Sequence, residues 1–450
     1  MKNYQSATKY LNSFINYERK VFFPYKKNLK LKRVKKLLHE LSIPFDKLKV
    51  IHIAGTKGKG STATFCANIL ASSGFRVGLY TSPHLVDFRE RIAILKKNKK
   101  GISKTLISKN DVIRIVNNFK PKIEKLRFTS KFGKVTFFEV YTAIAFKYFL
   151  EKNVDFVVLE TGLGGRLDAT NVINRPLISI ITHIDYDHMD KLGNRLAQIA
   201  YEKAGIIKKK SLVISNYQRK SALKVILKKA KKEKAQFFLY KKDFFCTNIR
   251  FYKNCSYFDF RFKNFELKNL KISLLGPHQI ENVALALAAI YLLKEKKIIE
   301  EEINYRGGLL SSYIEGRFEI IKKNPLVILD VAHNPAAFGA LAKNLKLYFP
   351  KKKIILIFAV SKDKDIKNML NKLSGVDKYI FTSFSNPRSV SPQDIKKVSK
   401  ISDAILTKDI KEAFRIAIKF YKKNYLILIS GSLFLVGDAK NFFKRCRCLN

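Results

Sequence analysis

The apolar run Val50–Ala54 stops at GTKGKGST, Gly55 to Thr62, and the helix-forming stretch Ala63–Ser72 follows without a break. Strand, glycine loop, lysine, hydroxyls and helix in that order describe a phosphate cradle. Glycines let backbone N–H groups approach phosphate oxygens, the helix start adds positive potential, and Lys59 supplies a point charge. The strict GxxxxGK[ST] spacing is broken, since Gly60 follows the lysine and Ile53 occupies the first glycine position. The segment reads as a variant P-loop. The plainer alternative, an ordinary glycine turn, is outweighed by that context.

A cradle of this kind needs parallel strands beside it, and the chain supplies them. Residues 50–54, 156–160, 177–182, 212–215, 326–330, 354–360, 378–382 and 425–430 are short, largely apolar runs followed by polar loops. That is how parallel strands buried on both faces read, with chemistry at their carboxyl ends. From Asp243 to Lys271 aromatic and polar residues alternate as in hairpin strands, and a helical run, Gln279 to Lys294, closes the first unit. Gly307, Gly308 and a Ser pair then precede a fresh strand–helix series. The expected fold is therefore α/β: an N-terminal P-loop ATPase-like domain with a mostly parallel sheet over residues 1–304, a hinge at 305–316, and a smaller C-terminal Rossmann-like α/β domain over 317–450.

The formal charge of +52 points by itself to nucleic acid or an anionic surface. Most of the basic residues are Lys, however, in a chain also rich in Ile, Phe, Asn and Tyr, as AT-rich codons would produce. Runs such as Lys208–Lys210 and Lys351–Lys353 fall at loop-like places, not on an aromatic-studded stripe. No specific nucleic-acid partner is expected, although non-specific binding at low salt is. The longest uncharged apolar run, Val283 to Leu293, is too short to span a bilayer, and the first residues lack a signal-peptide core. The expectation is a cytoplasmic protein, monomeric and without a membrane partner. Its five cysteines show no CxxC pair, and Cys446-x-Cys448 alone is weak evidence for a metal site.

Further polar clusters fall at predicted strand ends. Glu160 closes FVVL, where nucleotide-binding enzymes place a carboxylate for magnesium. The following GLGGRLDATN lacks the GxGxxG spacing and runs into a polar loop, so it is no dinucleotide fingerprint. His84 in TSPHL, His188 in DYDHMDKLG, and Asp330 and His333 in DVAHNP each have a bland reading as packing or hydrogen-bonding residues. Their recurrence at carboxyl ends favours one shared cleft. His188 could be a metal ligand with Glu160, while Asp330 and His333 could recognise an ammonium or shuttle a proton.

HIAGTKGKGS, LYTSPHL, LETGLGGRLDATN, DHMDKLG, IAYEKAGII, LLGPHQIENVALAL, EGRFE, LDVAHNP and GSLFLVG, taken in that order from about Tyr10 to Gly437, resemble the folylpolyglutamate synthase branch of the Mur ligase superfamily. GLGGRLDATN and EKAGI separate this branch from the peptidoglycan Mur ligases. The resemblance implies an ATP- and Mg2+-dependent ligase that adds L-glutamate to dihydropteroate, to reduced folates, or to both. It implies nucleotide contacts from Gly55, Thr56, Gly58, Lys59, Gly60, Ser61 and Thr62, from Asn282 beside the adenine, and from Arg317 reaching the phosphates. Ser82 and Glu160 would hold one magnesium and His188 a second. Lys203 would be carboxylated by carbon dioxide and so reverse its charge. Asp330 and His333 would approach the nucleotide and the incoming glutamate.

Three positions depart from the family's usual residues. Lys57 replaces Asn, adding a cation expected beside the phosphates. Thr161 replaces Val after the metal-site glutamate. Glu315 replaces Pro before Gly-Arg and is expected to loosen the hinge. Two rivals remain: a Mur-type ligase acting on a cell-wall nucleotide, and a polyanion-binding P-loop protein without ligase activity, motivated by the net charge.

Overall fold

The computed structural model describes residues 1–17, 25–99, 101–129 and 132–447. In the N-terminal half, strands β1 (Val50–Ala54), β2 (Val77–Tyr80), β3 (Ile92–Asn98), β4 (Gly101–Leu106), β5 (Phe156–Glu160), β6 (Ile178–Ile181), β7 (Leu212–Ser215) and β8 (Gln236–Leu239) form one sheet. Their order is β4-β3-β2-β5-β1-β6-β7-β8. The six strands from β2 to β8 in that order pair in parallel, and the β3–β4 hairpin continues the sheet antiparallel. Neither hairpin strand was expected from the sequence.

Side chains alternate across this sheet with the strand period of two. Phe156 and Val158 of β5 join the core beneath the helices Lys59–Ser72 and Pro277–Glu295. Val157 and Leu159 join the core on the opposite face, with the helices Lys109–Thr129 and Phe137–Glu151. Burial on both faces is why these strands read as continuous apolar runs. The alternating stretch after residue 243 forms a separate antiparallel sheet of β9 (Phe244–Tyr252), β10 (Cys255–Phe262) and β11 (Phe265–Ile272).

The C-terminal half contains β12 (Glu319–Lys323), β13 (Leu326–Asp330), β14 (Lys353–Phe358), β15 (Val376–Phe381), β16 (Ile405–Leu406) and β17 (Tyr425–Ser430). Their order is β12-β13-β17-β14-β15-β16, parallel except for β12 at the edge. Ile355 and Ile357 face one core and Leu356 and Phe358 the other. Asp330, Ser430 and Phe358 stand in register, so the carboxyl ends of β13, β17 and β14 open together.

The expected hinge is shorter than 305–316. Tyr305–Leu310 is a helix, capped by the Asn304 side chain on Gly307 N–H. A Cβ at Gly308 would lie 2.4 Å from the Ile69 Cα, so the glycine lets this helix lie directly on the P-loop helix. Gly308 serves close packing and Gly307 leaves room for the Asn304 cap, and the connection between the halves is confined to residues 311–316. Within it Glu315, expected to loosen the segment, sits 3.4 Å from Lys440. Among the described residues no helix is long and apolar enough to cross a membrane. Cys448 lies outside the described residues.

Candidate active site

The P-loop leaves β1 at Gly55 and turns at Gly58, whose φ of +91° lies in the left-handed region. A Cβ at Gly58 would fall 2.1 Å from Asn282 Oδ1, so the loop passes directly beneath that side chain. Thr62 Oγ1 donates to the Asn282 carbonyl at 3.4 Å, and Asn282 Nδ2 donates to Gln279 at 3.1 Å. Ser61 and Thr62 are buried at the start of the helix. Thr56 ties the loop to the segment after β6: its N–H donates to His183 O at 2.9 Å and its hydroxyl to Asp185 O at 3.0 Å.

Two ammonium groups meet at one carbonyl. Lys59 Nζ donates to Gly55 O at 3.2 Å, and Lys203 Nζ donates to the same oxygen at 2.7 Å. Lys203 is buried, and burial together with the Lys59 charge pushes its ammonium down to about 7. That shift brings its free-amine form within reach near neutral pH. Glu160, at the carboxyl end of β5, lies 4.0 Å from Lys59 and accepts the Ser82 N–H at 3.1 Å. Burial raises the Glu160 carboxyl above its usual range, against the pull of Lys59.

The remaining groups line the cleft between the two halves. His188 begins the short helix Met189–Leu192 with φ +49°. His188, His278 and His333 are all solvent-exposed, with neighbouring segments of both halves close by. Lost hydration pushes all three imidazoles down, His188 and His278 to about 4. The Val331 carbonyl lies 2.9 Å from His333 Nδ1 and can only accept, so that nitrogen carries the proton and Nε2 keeps a lone pair. Asp330 accepts the N–H groups of Phe318 and Ala332, each at 2.8 Å, and burial pushes its carboxyl up to about 6. Arg317 lies within electrostatic reach of Glu160 and His278 on one side and of Asp330 and His333 on the other.

Lys59, Glu160, His188, Lys203, Arg317, Asp330 and His333 lie within electrostatic reach of one another across the cleft, whereas His84 accepts an N–H from buried Arg91 in the loop after β2. Lys57 does not point along the loop towards the phosphate cradle; its Nζ donates to Asp185 at 3.0 Å. Ser82, Glu160 and His188 form no closed cage, and among the described residues no three His, Cys, Asp or Glu side chains gather as one. Two further groups belong to the cleft. Asp187, desolvated but held below the usual carboxylate range by His188, His333, Lys203 and Lys59, faces both halves. His278 feels Arg317 and Lys57. Asp187 adjoins His188 in DYDHMD and His278 stands in GPHQIEN, yet nothing in either run marks which polar residue turns inward.

Residues 53–290 match the Mur ligase middle domain and residues 316–433 the Mur ligase glutamate ligase domain. These domains, with a P-loop facing a cleft between them, define a Mur-type ligase. A dihydrofolate synthase/folylpolyglutamate synthase of Bacillus subtilis is 37% identical over 417 residues, 92% of this chain and 95% of its own. The crystal structure of folylpolyglutamate synthase from Thermotoga maritima superposes with a TM-score of 0.83 at 35% identity, covering 98% of this chain and 96% of that one. An FPGS–AMPPCP–folate complex superposes with a TM-score of 0.81 at 28% identity, covering 98% and 99%. The chain belongs to the dihydrofolate synthase/folylpolyglutamate synthase family of Mur ligases.

Proposed function

We propose that this chain is an ATP-dependent ligase that joins L-glutamate to dihydropteroate and to reduced folates, releasing ADP and phosphate. The observation that carries the reading is the meeting of Lys59 and Lys203 at Gly55 O, beside Glu160 and across the cleft from Arg317, Asp330 and His333. The two-fold name of the Bacillus subtilis relative supports both acceptors.

A carboxylate is a poor electrophile and must be activated. The γ-phosphoryl group of ATP passes to the acceptor carboxylate, giving an acyl phosphate. Lys59 and the amides and hydroxyls of Gly55, Thr56, Gly58, Gly60, Ser61 and Thr62 hold the phosphates and take up the charge that gathers there. Asn282 lies by the adenine, and Arg317 reaches the phosphates from the C-terminal half. Asp330 and His333 receive glutamate, and His333 Nε2 takes a proton from its ammonium so that the amine attacks the acyl carbon. Phosphate then leaves. Closing the two halves over the cleft would exclude the water that hydrolyses the acyl phosphate.

Magnesium fits the donor set, since it favours one or two hard oxygen ligands completed by phosphates and water over an all-protein cage. Glu160 and Ser82 would hold one ion and His188 a second, and a bound ion neutralises phosphate charge. The free-amine form of Lys203 is the one that adds carbon dioxide, and the resulting carbamate would replace a repelling charge beside Lys59 with an attracting one.

All of these residues come from one chain, which supports action as a monomer, and ATP as co-substrate suits the cytoplasm. The reading assigns no nucleic-acid partner. Purified protein with ATP, Mg2+ and glutamate is expected to release ADP only when dihydropteroate or tetrahydrofolate is added. Stimulation by neither overturns it.

A further inference from the structure

The run GSLFLVG, Gly431 to Gly437, contributes nothing to the chemistry above, yet it ends in a glycine within the helix Leu433–Arg447. Glycine in a helix interior costs about 1 kcal/mol relative to alanine, so the position calls for a reason. A Cβ at Gly437 would lie 2.5 Å from the Leu85 carbonyl oxygen. Leu85 belongs to the opposite half, in the loop that leaves β2. Its side chain packs against the C-terminal core, and its Cδ2, like Val331 and Val436 side-chain atoms, lies within 3.7 Å of the place a Cβ would take at Gly316. Gly316 and Gly437 thus form a seat, and Leu85 fills it.

The loop that presents Leu85 is stiff. The Glu90 carboxylate accepts three successive N–H groups, from Leu85 at 2.7 Å, Val86 at 3.0 Å and Asp87 at 2.8 Å. Asp87 in turn holds Arg89 and the Tyr4 hydroxyl, and buried Arg91 donates to His84 Nδ1 at 2.9 Å. Three residues before Leu85, the Ser82 N–H donates to Glu160. One short rigid segment therefore touches the carboxylate-activation site at one end and the C-terminal half at the other. A second contact between the halves, Gly276 N–H to the Tyr348 hydroxyl at 2.9 Å, lies at the start of the helix that carries Asn282. Asp330 and His333 belong to the same half as both Tyr348 and the seat.

We propose that Leu85, seated on Gly316 and Gly437, is a positioning residue that sets the register between the amine-binding half and the acyl phosphate. The proposal rests on the ligase reading given above. Without the seat the P-loop, Lys59 and Glu160 still activate the carboxylate, but the amine arrives misaligned. Water then attacks the acyl phosphate, returning carboxylate and phosphate with no amide formed. Misplacement of about 1 Å is enough for a loss of about 100-fold in the amide step.

The test measures ADP and amide together, with dihydropteroate, ATP, Mg2+ and glutamate, in wild type, Leu85→Ala, Gly437→Ala and Leu85→Met. In Leu85→Ala the KM for ATP is expected to stay within about twofold while amide formation falls about 10- to 100-fold, so that ADP released per amide climbs from near one to ten or more. Gly437→Ala behaves alike wherever its melting temperature shows it folded, and Leu85→Met restores a ratio near one. A ratio that stays near one in Leu85→Ala, with only the melting temperature lowered, makes Leu85 mere packing and overturns the proposal. Wild type that releases no ADP with either acceptor sinks the ligase reading itself, a separate result.

Discussion

Lys203→Met should make the protein more stable while removing its activity. In the wild type, burial and Lys59 lower the Lys203 ammonium from its ordinary 10.5 to about 7. At about 1.4 kcal/mol per pH unit, holding that charge in the fold costs about 5 kcal/mol, an upper figure because local relaxation reduces it. The cost is fully present below pH 7, where both folded and unfolded chains bind the proton. It shrinks as pH rises towards 10.5, because over that window only the unfolded chain keeps its proton and wild-type stability climbs with pH. Methionine keeps the aliphatic bulk and leaves Gly55 O to Lys59, 3.2 Å away. In CO2-free buffer, urea unfolding should therefore find the variant about 2–4 kcal/mol more stable at pH 6, an advantage that narrows by about 1 kcal/mol per pH unit above 7 and is small by pH 10. Ligase turnover should fall by at least about 100-fold. A variant less stable than wild type at pH 6, or a difference that does not change with pH, would refute the reasoning.

Gly58→Ala puts a side chain at φ +91° and 2.1 Å from Asn282 Oδ1, so the KM for ATP should rise at least about tenfold; an unchanged KM shows the loop does not bear on the nucleotide. Thr161 Oγ1 is buried without a hydrogen-bond partner, and Thr161→Val should raise unfolding free energy by about 1 kcal/mol in denaturant titration. Lys57→Asn breaks only a partly exposed pair with Asp185, so stability should change by less than about 1 kcal/mol and the KM for ATP by less than about threefold; a larger rise in KM would mean that Lys57 turns to the phosphates when ATP binds.

The P-loop, Glu160 and the main parallel strands were legible because burial on both faces leaves unbroken apolar runs that end at polar loops. Strands β3 and β4 were not, because the hairpin carries Lys96, Lys97 and Lys104 and lies at the edge of the sheet, where one face needs no apolar side chains. Gly307 and Gly308 read as a hinge because glycine marks flexibility and close packing alike in a sequence. Only the approach to Ile69 separates the two. The direction of Lys57 depended on Asp185, 128 residues away. The meeting of Lys203 with Lys59 depended on Gly55 O, 148 residues from Lys203. Such convergences are products of the tertiary fold, and no local spacing encodes them. The seat for Leu85 belongs to the same class, since a lone helical glycine signals only that something lies near.

The central claim is that this chain activates a carboxylate by phosphoryl transfer before forming an amide. Its most direct test supplies dihydropteroate labelled with 18O in the carboxylate, together with ATP, Mg2+ and glutamate, and reads the label in the released phosphate by mass spectrometry. The account predicts one 18O in each phosphate for every amide made, with ADP as the nucleotide product. Phosphate free of label, or AMP and pyrophosphate in place of ADP and phosphate, would contradict it.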